Sequence, residues 1–314
     1  MIIRKATKED FKEILKDKDF TYFNWDFIED ACKASKTKNI SVYIDYENRK
    51  YIVPLMKQKV LGFYPVAFSI AFSLFGGLVS KEEMDKKSYT HLLRQISRFI
   101  KMDIVFQDGF QEEILAKSDV IKIKKFIAQI VYTKNQDYDK YFQSDFEYKM
   151  RKNIKRAIKN DIVIRTGNTI DLIRDYYGLY ELSNIRWGKK KPRRDIEFFE
   201  TFVEKDYFEI RIAYFQGQPA AGLMMLKFND YYYGWFGGMD NQLGKTRAND
   251  FLHADLIKES IEKNFAMVNF GAASNLNGVQ KFKESFGAKE SQYHIYFVGN
   301  PIAKAALKLM LKFY

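Results

Sequence analysis

The two halves of this chain repeat one order of periodicities, and that repetition limits the folds open to it. In the first half, FNWDFIEDACKAS places Phe23, Phe27, Ala31 and Ala34 on one helical stripe. NISVYIDYENRKYIVPLMKQKV then alternates as two strands about the turn DYENRK, KKSYTHLLRQISRFIKM reads as a helix, and DIVFQDG and KKFIAQIVYT read as strands. From about Thr133 the order restarts. Helical DYDKYFQSDFEYKMRKNIKRAIKND leads to the strand IVIRTG, and two more helical segments precede the strands FEIRIAYFQ and AAGLMMLKFNDYYYGWFGGMD. ANDFLHADLIKESIEKN is helical, and MVNFGA and YHIYFVG are strands. Each half thus runs helix, hairpin, helix, strand. The expectation is an α/β (α+β) protein of two tandem domains, residues 1–130 and 131–299, with mixed, mainly antiparallel sheets flanked by helices. An amphipathic C-terminal helix, 300–314, follows with Lys304, Lys308 and Lys312 on one face, a pattern compatible with docking on the domain or lying on an anionic membrane.

Composition narrows the class of protein. With 314 residues, 46% hydrophobic and 29% charged, the chain can bury a sizeable core. A formal charge of +12 suits anionic partners such as nucleic acid, phosphorylated metabolites or acidic lipids, without choosing among them. Cys32 is alone, which excludes an intramolecular disulfide, and His91, His253 and His294 have no metal-ligand spacing, so no metal is expected. The opening MIIRKATKED lacks the basic-then-apolar order of a signal peptide, which points to the cytoplasm. Residues 60–79 carry no charge over the length of a membrane span, but Gly62, Pro65 and Gly76-Gly77 break the run, favouring buried strands and a tight turn.

Basic residues gather in three places. Seven lie between Lys149 and Arg165 against one acid, Asp161, and Arg151, Lys155 and Lys159 recur at helical spacing. WGKKKPRRD forms a second cluster, in which Trp187 beside Arg186 suits stacking on a ring or flanking a phosphate. In LGKTR, Gly244-Lys245-Thr246 lacks the upstream glycine of a phosphate loop, because Met239 stands there. A looser anion site remains at the next helix N-terminus, with Lys245 and Arg247 converging on free N–H groups. No Ser-His-Asp or Cys-His nucleophile arrangement is present, so an enzyme here would position an external nucleophile and stabilise charge.

Several motifs follow one another in a recognisable order. An Arg-rich helix ends in A-x-K-N before a strand, as RKNIKRAIKNDIVI; Arg193 and Arg194 precede Phe198-Phe199; Tyr232-Tyr233-Gly234 marks a strand. NFGA ends another strand, and GVQKFKESFG supplies G-(L/V)-x-x-F-K-x-x-F-G through Gly278, Val279, Phe282, Lys283, Phe286 and Gly287. In this order the chain resembles the Fem-type peptidyltransferases of the acetyltransferase-like (GNAT) superfamily over nearly its whole length. The resemblance implies two tandem GNAT-like domains. It implies transfer of an aminoacyl or acyl group from a carrier to an amine, with Phe282 and Lys283 at the reaction centre and Lys283 stabilising the oxyanion. Arg186, Arg194 and Tyr233 are implied contacts for the acceptor, and Asn269 stands where the family often has Asp. The coiled-coil arm of some members has no counterpart, which leaves two donors open, aminoacyl-tRNA and an acyl thioester on coenzyme A or a carrier protein.

The expectation is therefore an amide-forming transferase of cell-envelope biosynthesis with no permanently bound cofactor. Its acyl donor is a cosubstrate, and its acceptor an envelope precursor, which a lipid-linked form and a membrane-peripheral location would both fit. Two rivals stand beside it. One is an acyl-CoA-dependent or acyl-carrier-dependent N-acyltransferase acting on an amino sugar; the other is a non-catalytic RNA-binding or scaffold protein on the same fold.

Overall fold

A computed structural model describes residues 1–15, 24–60, 62–69, 76–80, 86–108, 120–228, 230–272 and 277–299. The expected helix at 300–314 and residues 61 and 70–75 of the uncharged run lie outside them. The chain divides into one unit formed by Met1–Ile127 with Gln292–Tyr314, and a second formed by Ala128–Ser291.

The first unit opens with β1 (Ile2–Lys5), α1 (Lys8–Leu15) and α2 (Trp25–Ala34). Thr7 and Asp10 form a reciprocal cap on α1: the Thr7 N–H donates to Asp10 Oδ2 at 2.8 Å and the Asp10 N–H to Thr7 Oγ1 at 3.3 Å. Then come β2 (Lys38–Asn39), β3 (Val42–Tyr46), β4 (Arg49–Val53), β5 (Met56–Val60), β6 (Tyr64–Phe68), β7 (Val79–Ser80), α3 (Lys86–Ile100) and β8 (Asp103–Asp108). The predicted turn joins β3 to β4 through Glu47 and Asn48, both at positive φ, as a two-residue hairpin loop requires. β1, β3, β4 and β7 form one antiparallel sheet. β2, β5, β6 and β8 are neighbours in that order, with a parallel step between β6 and β8. Tyr89, Leu92, Leu93 and Ile96 of α3 are buried in a core with Val42, Ile44, Val53, Ile104 and Phe106. Val66 and Ala67 of β6 are buried, as expected of the strands read into the uncharged run. No described helix is long and apolar enough to cross a membrane.

β9 (Val120–Tyr132) leads into the second unit, which continues with α4 (Tyr138–Ser144), α5 (Tyr148–Lys159), β10 (Val163–Gly167), α6 (Ile170–Arg186) and α7 (Ile196–Glu200). There follow β11 (Phe208–Phe215), β12 (Gln218–Phe228), β13 (Tyr231–Met239), α8 (Ala248–Glu262), β14 (Met267–Ala272) and α9 (Asn277–Glu284). β15 (Lys289–Val298) returns to pair antiparallel with β8. Strand order in the second unit is β10-β11-β12-β13-β14-β9, antiparallel at every step except β13–β14, which α8 connects as a parallel crossover. The segment 137–161 reads as one helix in the sequence but forms two, and between α4 and α5 the Glu147 N–H is held by the Ser285 carbonyl at 2.9 Å. Met150, Ile154 and Ala157 of α5 and Leu252, Leu256 and Ile257 of α8 share a core with Leu223, Met225, Val268 and Phe286. Beneath α8 the wholly buried Arg211 is paired with Glu209, Asp255 and Glu259, so a buried charge is fully compensated where helix meets sheet.

Candidate active site

The candidate site starts from an irregularity in β14. Its parallel ladder with β13 runs from Tyr231–Met267 to Tyr233–Asn269, where the described register ends. On its other edge, β14 pairs with β9 as far as Asn269–Ile130 and again at Ala272–Ala128. Phe270 and Gly271 together thus oppose the single residue Gln129, which is a β-bulge. Gly271 takes φ +64, and the buried Asn269 fixes the turn by accepting the Gly271 N–H on Oδ1 at 2.8 Å.

In a regular strand, successive carbonyls point to opposite edges. The bulge turns three consecutive ones onto a single cation. Lys283 Nζ, from α9, donates to the carbonyls of Phe270 at 2.6 Å, Gly271 at 3.1 Å and Ala272 at 3.2 Å. An ammonium has three protons, and all three are engaged. Lys283 has no ion pair among the described residues, and burial pushes its pKa down to about 8.

Within GVQKFKESFG, Lys283 and Phe286 are buried, and Phe282 is half-buried against the same core. Lys283 and Phe286 are three apart on the inward face of the segment, while Val279 and Phe282 share the next face outward. Gly287, at φ +80, ends the helix where a Cβ would lie 2.6 Å from Tyr141 Oη, whose hydroxyl donates to the Phe286 carbonyl at 3.1 Å.

Tyr233 belongs to the same locality, because a Cβ on Gly271 would lie 3.2 Å from its hydroxyl oxygen. Lys283, Phe282, Asn269 and Tyr233, scattered over the sequence, are therefore drawn together by β13, β14 and α9. Sequence reasoning missed His253 of α8. Its ring lies 4.9 Å from that of Phe282, 5.4 Å from Phe270 and 5.7 Å from Phe286, and its Nδ1 lies 2.8 Å from the Asn249 carbonyl. Burial lowers its pKa to about 4, so the ring is neutral at pH 7 and Nδ1 is the donor to that carbonyl. A lone histidine on a mostly apolar helix gives no motif; only the packing reveals it.

The remaining expected residues lie elsewhere in the unit. Arg186 donates to Asn241 Oδ1 at 2.6 Å and lies over the Trp187 ring at 5.6 Å, and Arg194 lies over Phe198 at 5.1 Å. Lys245 is exposed on a 3-10 turn, Gly244–Thr246, before α8, and Arg247 caps α8 in the left-handed region at φ 67. Asp250, buried in the first turn of α8, has its pKa raised by burial, which places a carboxyl inside the expected anion site. Arg151 is committed to the α4–α5 junction, donating to the carbonyls of Gln143 at 2.7 Å and Phe146 at 2.5 Å, while Lys155 is exposed. No described contact joins Arg151, Lys155, Arg186 or Trp187 to Lys283. No group of three or more metal-ligating side chains occurs among the described residues.

Residues 144–284, which include the bulged strand and Lys283, match the family described as Acetyltransferase (GNAT) domain. No curated protein sequence matches the chain. Among solved structures, FemX is similar at 12% identity and a TM-score of 0.63, over 94% of this chain and 97% of that one. L-PGS from Bacillus licheniformis is similar at 12% identity and a TM-score of 0.63, over 99% of this chain and 97% of that one. At this identity the two structures establish a shared fold, which is mixed α/β and GNAT-like as the motifs implied. The match to a GNAT domain over residues 144–284 thus sits within a fold shared with both structures.

Proposed function

We propose that the protein forms an amide by moving an aminoacyl or acyl group from a carrier to an amine of a cell-envelope precursor. The observation that carries this reading is the Lys283 ammonium, held on three main-chain carbonyls where the β13–β14 ladder ends. Past Tyr233 and Asn269, an extended, amide-bearing acyl carrier can take up main-chain positions that the ladder no longer uses. The acceptor amine attacks the acyl carbonyl of an ester or thioester, and an oxyanion develops on that oxygen. Lys283 exchanges its longest carbonyl contact, to Ala272, for the oxyanion, so that it stabilises charge present only in the transition state. The intermediate collapses to the amide, and the carrier's oxygen or sulfur departs with the proton released by the amine. Asn269 holds the bulge that aims Lys283, and Tyr233 and Phe282 flank it.

Aminoacyl-tRNA and an acyl thioester both satisfy this chemistry. The match to an acetyltransferase domain favours the thioester, with an amino sugar of a surface polysaccharide as the corresponding acceptor. A mass-resolved transfer assay decides. The full chain is given an amine-bearing envelope precursor with charged tRNA or with acyl-CoA, each with and without RNase. Product that vanishes with RNase establishes tRNA as the carrier; RNase-resistant product from acyl-CoA establishes the thioester. Transfer from neither donor, in the presence of binding to RNA, would overturn the catalytic reading.

A further inference from the structure

A second surface in this unit has no part in the chemistry above. The inward face of α6, with Ile173, Tyr176, Leu179 and Tyr180 buried, packs on β11, β12 and β13. Near its end the outward face carries large apolar side chains beside the exposed Glu181 and Arg186. Leu182 and Ile185, three apart on one stripe, are 45% and 66% exposed, and Trp187, the C-cap, is 50% exposed. Trp25 and Trp235, the other two tryptophans, are less exposed. The Trp187 ring is held outward by Arg186, which stacks on it while bonded to Asn241. Gly188, at φ +71, then turns the chain into RWGKKKPRR, six cations in nine residues without an acid. Lys189, Lys190, Lys191 and Arg193 are all exposed.

We propose that the end of α6 and the loop 187–194 form a docking surface for an anionic lipid bilayer. Exposed aliphatic side chains gain from leaving water for the acyl boundary, and an indole is at home at the headgroup level. A block of lysines beside them is attracted to an anionic leaflet, each contributing about fivefold in affinity. RNA fits this surface less well. Leu182 and Ile185 offer a base neither a stacking plane nor a hydrogen bond, and single-strand binders present successive aromatics. The surface is independent of which donor or amine the enzyme uses.

The test is co-flotation of the full chain with vesicles of equal parts phosphatidylglycerol and phosphatidylcholine, against pure phosphatidylcholine. The expected result is binding to the anionic vesicles alone, weakened by salt, with a blue shift of tryptophan emission that Trp187→Phe removes. Combined Lys189→Glu, Lys190→Glu and Lys191→Glu should weaken binding on the order of 100-fold, and combined Leu182→Ser and Ile185→Ser should weaken it at unchanged charge. All five side chains are exposed, and unchanged circular dichroism and thermal midpoint confirm that the variants fold. Failure to bind anionic vesicles at low salt overturns the proposal. So does binding that survives both variants, which would place the contact elsewhere, including residues 300–314. Preferential binding to single-stranded RNA that the lysine variant loses and the aliphatic variant keeps would assign the surface to nucleic acid instead.

Discussion

Lys283 Nζ lies 2.6 Å from the carbonyl oxygen of Phe270, thirteen residues earlier in the chain and within a β-bulge. That contact and its two companions give the lysine a structural duty beside the proposed catalytic one, and the two separate by experiment. Lys283→Ala leaves three converging carbonyls without a donor. A loss of about 3 kcal/mol in stability is expected, from charge-assisted bonds removed and acceptors stranded. Turnover is expected to fall by ~10²-fold or more even at temperatures where the variant is fully folded. Urea melts and transfer rates measured on the same preparation check this. Activity that recovers fully once folding is restored would leave Lys283 a purely structural residue.

The lowered pKa of Lys283 gives the reaction a signature in pH. Desolvation brings it to about 8, so the ammonium is charged at pH 7 and loses its proton just above. The rate of acyl transfer at saturating substrate should fall with a midpoint near pH 8, and Lys283→Arg, which keeps its proton, should remove that limb if it retains turnover. The effect on stability has the opposite sign. Between pH 8 and the ordinary lysine value of 10.5 the unfolded chain holds the proton and the folded one does not, so this residue's contribution to stability rises across that window. An activity that falls while stability rises separates the titration of Lys283 from alkaline unfolding.

The contrast between Asn48 and Gly271 shows what the sequence reveals and what it hides. The turn at Glu47-Asn48 is local chemistry, a pair of residues at positive φ between two alternating runs, and the alternation alone marks its place. The α/β order is legible for the same reason, since period and punctuation are properties of neighbours. The bulge at Gly271 depends on the register of β9 against β14, which no neighbouring residue encodes. Hence the resemblance singles out Lys283, while its burial and its three carbonyl partners lie beyond sequence reasoning. The split between α4 and α5 is hidden likewise, and the partner of the Glu147 N–H at that junction, the Ser285 carbonyl, lies far along the chain.

His253 supplies an acid-sensitive element beside the same site. Its pKa is lowered by burial to about 4, against 6.5 unfolded, so between those values the unfolded chain binds the extra proton. Stability contributed here is present above pH 6.5 and is lost as pH falls toward 4, by roughly 3 kcal/mol when the whole window is crossed. His253→Phe keeps an aromatic ring among Phe270, Phe282 and Phe286 and should flatten the pH dependence of the melting temperature over that range. A variant that melts with the unaltered slope would place the titrating group elsewhere.

Gly287 tests whether the position of α9 matters to Lys283. The residue has φ +80, and an added Cβ would sit 2.6 Å from Tyr141 Oη and 2.9 Å from Asp145 Cβ. Gly287→Ala therefore meets both backbone strain and a clash with α4, and a loss of about 2 kcal/mol or more is expected. Tyr141→Phe in the same chain removes the nearer atom and the bond to the Phe286 carbonyl, but it leaves the strain and the contact with Asp145. It should restore part of the stability lost to the alanine, a coupling that a double-mutant cycle in urea reads directly. Because α9 carries Lys283 toward the bulge, Gly287→Ala should also lower turnover in the folded protein, and the double variant should regain part of it. Strict additivity of the two changes would show that the end of α9 is not seated on Tyr141.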